Sequence, residues 1–475
     1  MFRRLPRPVA VVVLTVCAAS AALASAVIPN LLVFNDPTGG VATFSSNGAI
    51  KASNPFFQSL GTNGRSCATC HVASTAFALS AADARTRFAV THGADPLFAG
   101  LDGANCPDVP RDDPNGHSLM LGNGLLRIAL AVPSNAEFSV QTVHDPYGCD
   151  DQVDPTTGAR TLSEYRRPLP ATNLRFVTGV MWDGREGVAP LGDPATYHAN
   201  LLTDLRHQAL DATLGHAQAA APPTEAQLAA IVDFEANLYS AQTWDVAAGQ
   251  LHAEGASGGP HPLSTLDFQP GMNDPLGGAF DEHAFSLFNH WTDLPARQPG
   301  ADDREAVAAG QAVFNTAPLM ITDVPGLNDA LGQAAIKGTC STCHNTPNVG
   351  SHSSPLPVDI GVAHVAAYEA DPNIASALAK LSMPNLPVYE AACTAGQAGR
   401  TVYTTDLGLA MITGRCADLV RMKGPVLRGL AARAPYFHNG AAATLREVVE
   451  FYNARFQMNL TDQQKQDLVA FLQSL

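Results

Sequence analysis

A chain of 475 residues is longer than one compact core usually accommodates, so two principal domains are expected. Its 28 basic against 43 acidic residues give a formal charge of −15, which argues against nucleic acid as a partner. With 46% hydrophobic and 15% charged residues, the composition excludes a disordered chain and points to a loop-rich globular one.

The N-terminus carries Arg3, Arg4 and Arg7, an apolar run from Pro8 to Ala24, and small residues at Ala22, Ala24 and Ala26. That is the pattern of a cleavable secretory signal over residues 1–26, and it predicts export to the periplasm. A membrane anchor is the alternative, but the run is short for a span and ends in cleavable small residues. No later segment is apolar enough to cross a bilayer.

Beyond the leader, Phe56, Phe57 and Leu60 precede Cys67-Ala-Thr-Cys70-His71. In Cys-x-x-Cys-His the two sulfurs form thioethers to a porphyrin edge, and the adjacent His supplies the proximal bond to iron. A redox dithiol or half a zinc site also uses paired cysteines, but neither explains the His. The pattern returns as Cys340-Ser-Thr-Cys343-His344, behind a helix-forming stretch from Glu305 to Phe314. Two covalently bound haem c groups are therefore expected, one in residues 27–250 and one in 303–475, joined by a Gly/Pro-rich connector over 251–302. The expected fold is mostly α: two cytochrome c-like haem domains with long loops and little β.

Cys17 leaves with the signal, and Cys106, Cys149, Cys393 and Cys416 remain. An even remainder in an exported chain suggests disulfides. Four cysteines allow three pairings, of which Cys106–Cys149 and Cys393–Cys416 each stay within one half.

Three helices open with capping-box patterns. Thr224 with Gln227 presents Leu228, Ile231, Val232 and Leu238. Thr444 with Glu447 presents Leu445, Val448, Val449 and Tyr452, so Tyr452 points inward with the apolar face. Thr461 with Gln464 presents Leu468, Phe471, Leu472 and Leu475.

Two further segments carry a family likeness. Met181-Trp182-Asp183-Gly184-Arg185, and Lys423 through Gly440 with its Pro435-Tyr436-Phe437-His438 core followed by Thr444-Leu445, closely resemble segments of the di-haem cytochrome c peroxidase/MauG family. The stretches around 90–165 and 250–300 look like additions to that pattern. The resemblance implies that the first haem reacts with hydrogen peroxide or oxygen while the second stores or passes electrons. It also implies that Trp182 relays electrons between the haems, that Asp183 and Arg185 hold the loop, and that His438 hydrogen-bonds near the haem propionates.

Tyr452, fourteen residues after His438, falls at the sixth-ligand position of the second haem. Peroxidases of the family usually have Met there and MauG has Tyr; Met458, or no protein ligand, is the alternative. The family's distal Glu is missing. Alignment of the 207–218 segment puts Gln218 at that position and His216 two residues before it, which makes His216 the acid–base candidate. An interdomain calcium held by carbonyls near Pro435 is a further family feature. The accompanying Asn is not identified, because Arg166 to Asn173 departs from the family sequence. The implied function is a periplasmic oxidoreductase using hydrogen peroxide or oxygen and exchanging electrons with a small redox protein or an oxidisable substrate. The alternative is a non-catalytic di-haem electron-transfer cytochrome.

Overall fold

Gly39–Ser45, rich in small residues, is a strand buried on both faces. It pairs antiparallel with Leu238–Asp245, from Gly39 opposite Asp245 to Ser45 opposite Leu238. The computed structural model describes residues 27–150, 152–153, 158–187, 194–276, 280–295 and 300–475. The expected leader, residues 1–26, lies outside them.

The described residues hold five small sheets. With 33% helix and 17% strand, the chain is mixed, which corrects the expectation of a mostly α fold with little β. The reason is physical. A strand buried on both faces shows no period-2 alternation, and Arg160–Arg166 buries Glu164 and Arg166, so its sequence reads as polar surface. Leu238, expected on the 225–236 helix, begins a strand instead.

The sheets also join the two halves of the sequence. Phe138–His144 pairs antiparallel with Val388–Cys393, so the stretch read as an addition carries a strand of a shared sheet. Disulfides Cys106–Cys149 and Cys393–Cys416 flank this sheet, with Cα–Cα distances of 5.8 and 5.9 Å.

Helices supply the rest of the framework. Thr224 and Gln227 make the expected reciprocal cap on Glu225–Ala236, and Thr461 and Gln464 do the same for Asp462–Gln473. Ahead of Leu445–Arg455 the box is only half formed: Thr444 accepts from the Glu447 N–H, whereas the Glu447 carboxylate accepts from the N–H of Ala443. Asp462–Gln473 packs on Ala301–Thr316 so closely that a Cβ at Gly310 would collide with the Asp467 carbonyl. Around that contact Phe285, Phe288, Phe314 and Phe471 form the aromatic core of the second half. Phe56, Phe77 and Phe234 form a smaller one in the first. No helix among the described residues is long and apolar enough to cross a membrane.

Candidate active site

The two Cys-x-x-Cys-His segments fold alike. Each is a single 3-10 turn, Cys67–Thr69 and Cys340–Thr342, closed by a Thr hydroxyl that accepts the N–H preceding the turn: Thr69 from Ser66 and Thr342 from Thr339, both at 3.0 Å. The following His N–H returns to the first Cys carbonyl at 3.0 Å in both copies. Six residues on, a backbone carbonyl receives the imidazole Nδ1–H, Phe77 from His71 at 3.0 Å and Gly350 from His344 at 2.8 Å. That bond fixes the tautomer and leaves Nε2 as the basic atom, the arrangement an iron-binding imidazole needs. Aromatic rings flank both histidines, Phe56 6.3 Å from His71 and Phe314 6.1 Å from His344.

Each motif opens onto a cavity. Cys67, Cys70 and His71 line the first; Cys340, Cys343 and His344 line the second. Burial lowers the basicity of both histidines. It also pushes the thiols up, Cys67, Cys340 and Cys343 to about 12 and Cys70 to about 11.

Trp182 lines both cavities, as do Arg167, Pro168, Leu169 and Lys423. Its indole N–H donates to the Arg167 carbonyl at 2.7 Å, and its ring meets that of His438 edge-on at 6.1 Å. The loop bearing Trp182 is pinned by a wholly buried cluster. Arg166 bonds Asp406 at 2.7 and 2.8 Å and also reaches Asp183 and Glu164. Asp183 in turn accepts from the N–H and Nε of Arg185, both at 3.1 Å. One guanidinium among three carboxylates leaves excess negative charge; burial and Asp406 together raise the Glu164 carboxyl well above its ordinary value.

In the second cavity Tyr452 lies in the wall together with Met458 and His438. Burial pushes its phenol well up. The cavity is also lined by buried polar atoms without a protein partner: Nε2 of His438, Nδ1 of His352, and Nε of Arg167 and Arg433. Burial lowers His438 and His352 to about 4. Orphaned donors around an apolar space beside two cysteines and a tautomer-locked His fit a haem, whose carboxylate arms would satisfy them.

His216 lines the first cavity at the end of the 194–215 helix, its side chain 43% exposed. Its Nδ1 is bonded to Asp102, which is also paired with Arg65. Burial alone would raise the Asp102 carboxyl, but the hydrogen bond from His216 and the Arg65 charge outweigh it and hold it low. Gln218 sits differently. It is exposed, outside the cavity wall, and accepts from Asn63 at 3.3 Å.

The carbonyl expected near calcium is already engaged. Arg167 donates through one guanidinium nitrogen to the Pro435 carbonyl and through another to that of Leu79. A buried permanent cation on that oxygen does not fit a calcium ion beside it.

Sequence reading missed Arg65, Asp102, Arg167 and Glu235. Asp102 lies in a stretch without a motif, and nothing local marks it. Glu235 left a signal: it stands four residues after Ile231, a carboxyl on an apolar stripe.

No protein-family model matches the chain. The cytochrome-c peroxidase IdrP2 of Denitromonas iodatirespirans is 24% identical over 347 residues, 71% of this chain and 76% of the relative. The cytochrome-c peroxidase IdrP1 of Pseudomonas sp. (strain SCT) is 29% identical over 150 residues, 29% of this chain and 37% of the relative. A solved MauG-like protein associated with microbial copper homeostasis is 15% identical over 68% of this chain and 78% of its own, with a TM-score of 0.28, which is too low to bear on the fold. The chain is thus similar over most of its length to a cytochrome-c peroxidase, and it carries two matching His-bearing turns with a tryptophan that lines both of their cavities.

Proposed function

We propose that the chain is an exported di-haem oxidoreductase of peroxidase type, which reduces hydrogen peroxide, or oxygen, at the first cavity. It exchanges electrons through the second with a small redox protein or an oxidisable substrate. Residues 27–250 and 303–475 act as the two haem domains, with 251–302 as connector. The observation that carries this reading is that Trp182 lines both cavities, each of which holds its own tautomer-locked histidine. The peroxidase names of the relatives support hydrogen peroxide as the oxidant.

Cys67 and Cys70 would hold one haem and His71 its proximal bond; Cys340, Cys343 and His344 would hold the other. Arg167, Arg433, Lys423 and His438 would receive the carboxylate arms. The bound groups supply iron centres that change charge by one electron and, where an axial position is open, admit peroxide. The chain's residues do the rest. Reduction of one peroxide to two waters consumes two protons and two electrons. His216, with Nδ1 secured by the low-lying Asp102 carboxylate, holds or releases a proton at Nε2. Trp182 gives the electrons an aromatic step between the sites, and Tyr452 offers a phenol oxygen to the second.

One observation favours a second reading. With Nδ1 committed to Asp102, Nε2 of His216 is also free to bind iron, which would close the first site and leave an electron-transfer cytochrome. The intact mass of periplasmic protein should equal the mature polypeptide plus two haems, and its room-temperature spectrum should contain high-spin haem that responds to peroxide. A mass with fewer haems would sink the proposal, and a wholly low-spin spectrum indifferent to peroxide would select the electron-transfer reading.

A further inference from the structure

Glu235 shares the buried face of the 225–236 helix with Leu228, Ile231 and Val232. It is 5% exposed, lines the first cavity with Cys67, and its Oε2 has no hydrogen-bond partner. An ionised carboxylate in such a place is costly, and burial pushes the group up to about 8 with no neighbouring cation to offset the effect, so its ionisation falls at and above neutral pH, where a charge added nearby can return the proton to it.

The other ionisable groups around it have partners. Arg65 is engaged by Asp102, which also binds Nδ1 of His216 and leaves its Nε2 open to the cavity, His71 is engaged by Phe77, and Arg166 by its carboxylates. On the segments packed against the helix, Arg206 pairs with Glu225 at its far end and Arg175 with Asp267. Arg167, Arg185 and Lys423 also line the cavity, and Cys67 and Cys70 are consumed if thioethers form. Glu235 is thus the carboxylic acid of this cavity wall that has no partner.

We propose that Glu235 is a redox-linked proton site: it takes up one proton from solvent for each electron that enters the first site and releases it when that electron leaves. This rests on the reading of the first cavity as a redox centre. The electron comes from an external one-electron donor, a small redox protein or an oxidisable substrate, and the proton balances its charge, so the cavity's net charge is the same before and after. The physical reason is that an added charge in a poorly solvated space acts strongly on the nearest group able to compensate it.

Redox titration of the holoprotein at a series of pH values tests it. In the wild type the first-site midpoint should fall with rising pH near and above neutrality, approaching a tenfold change in equilibrium constant per pH unit, about 59 mV. Glu235→Gln should flatten that slope. Redox-difference infrared spectra should contain the carbonyl stretch of a protonated acid, shifted in D2O and missing from Glu235→Gln. Equal slopes in the two proteins, or a flat wild type, would overturn the proposal. Should the variant not fold, a wild type without a redox-sensitive acid band would overturn it as well. Peptide mass spectra without haem on Cys67 and Cys70 would instead remove the first-cavity reading itself, and this proposal with it.

Discussion

Trp182 and Arg167 are tied by one hydrogen bond, indole N–H to main-chain carbonyl at 2.7 Å, and both lie in the wall of both cavities. The tryptophan is therefore fixed by backbone and not merely packed. Trp182→Phe keeps an aromatic ring but loses that bond, at about 1 kcal/mol of stability. Both haems should remain bound, while electron transfer between the sites slows by at least about tenfold, a barrier rise of roughly 1.4 kcal/mol. Stopped-flow absorbance after peroxide addition measures it, and unchanged intersite kinetics would remove Trp182 as the relay.

Arg167 links the Pro435 and Leu79 carbonyls through its side chain, beside the place where the family resemblance allowed a calcium. Arg167→Met strands both oxygens in the interior and should cost about 3 kcal/mol. Wild-type protein should show the same Tm with and without a calcium chelator. A lower Tm in chelator would show that a metal, and not the guanidinium, holds these carbonyls.

His364 sits between Asp359, 2.9 Å from its Nε2, and Glu369 at its Nδ1. Burial alone would lower this imidazole, but the two carboxylates outweigh it and raise it from 6.5 to about 10. The folded value lies above the unfolded one, so the stabilisation is full below pH 6.5 and is lost as pH rises to about 10. His364→Gln should be less stable by about 3 kcal/mol at pH 6, with the gap narrowing towards pH 10. Urea midpoints across that range report it, and a gap that does not change with pH would show the pair to be uncharged.

What the sequence made legible is local. Both Cys-x-x-Cys-His turns, the Thr224 and Thr461 caps and the inward face of Tyr452 depend on spacings of a few residues, and each could be read from the letters. Gly39–Ser45 against Leu238–Asp245, and Phe138–His144 against Val388–Cys393, pair segments about 200 or more residues apart, and nothing local in either partner names the other. Asp102 escaped for the same reason: its partners Arg65 and His216 are brought to it only by the fold. The burial of Arg166 could not be read either, because its countercharges Asp183 and Asp406 come from distant loops.

Tyr452 carries the last prediction. It lines the second cavity, ringed by Phe437, Phe451 and Phe456 at 5.5 to 6.2 Å, with Met458 in the same wall. Burial raises its phenol, so the ionised oxygen would need the iron's positive charge to exist there. If Tyr452 is the ligand, Tyr452→Met exchanges an anionic oxygen for a neutral sulfur. The second-site midpoint should then rise by on the order of 100 mV or more, and the low-spin spectrum should change. Met458→Leu, a near volume-conserving swap, should alter neither. Spectroelectrochemistry of the three proteins separates the candidates: a spectrum that changes in Met458→Leu and not in Tyr452→Met would transfer the ligand to the sulfur and shift the resemblance from MauG to the peroxidases.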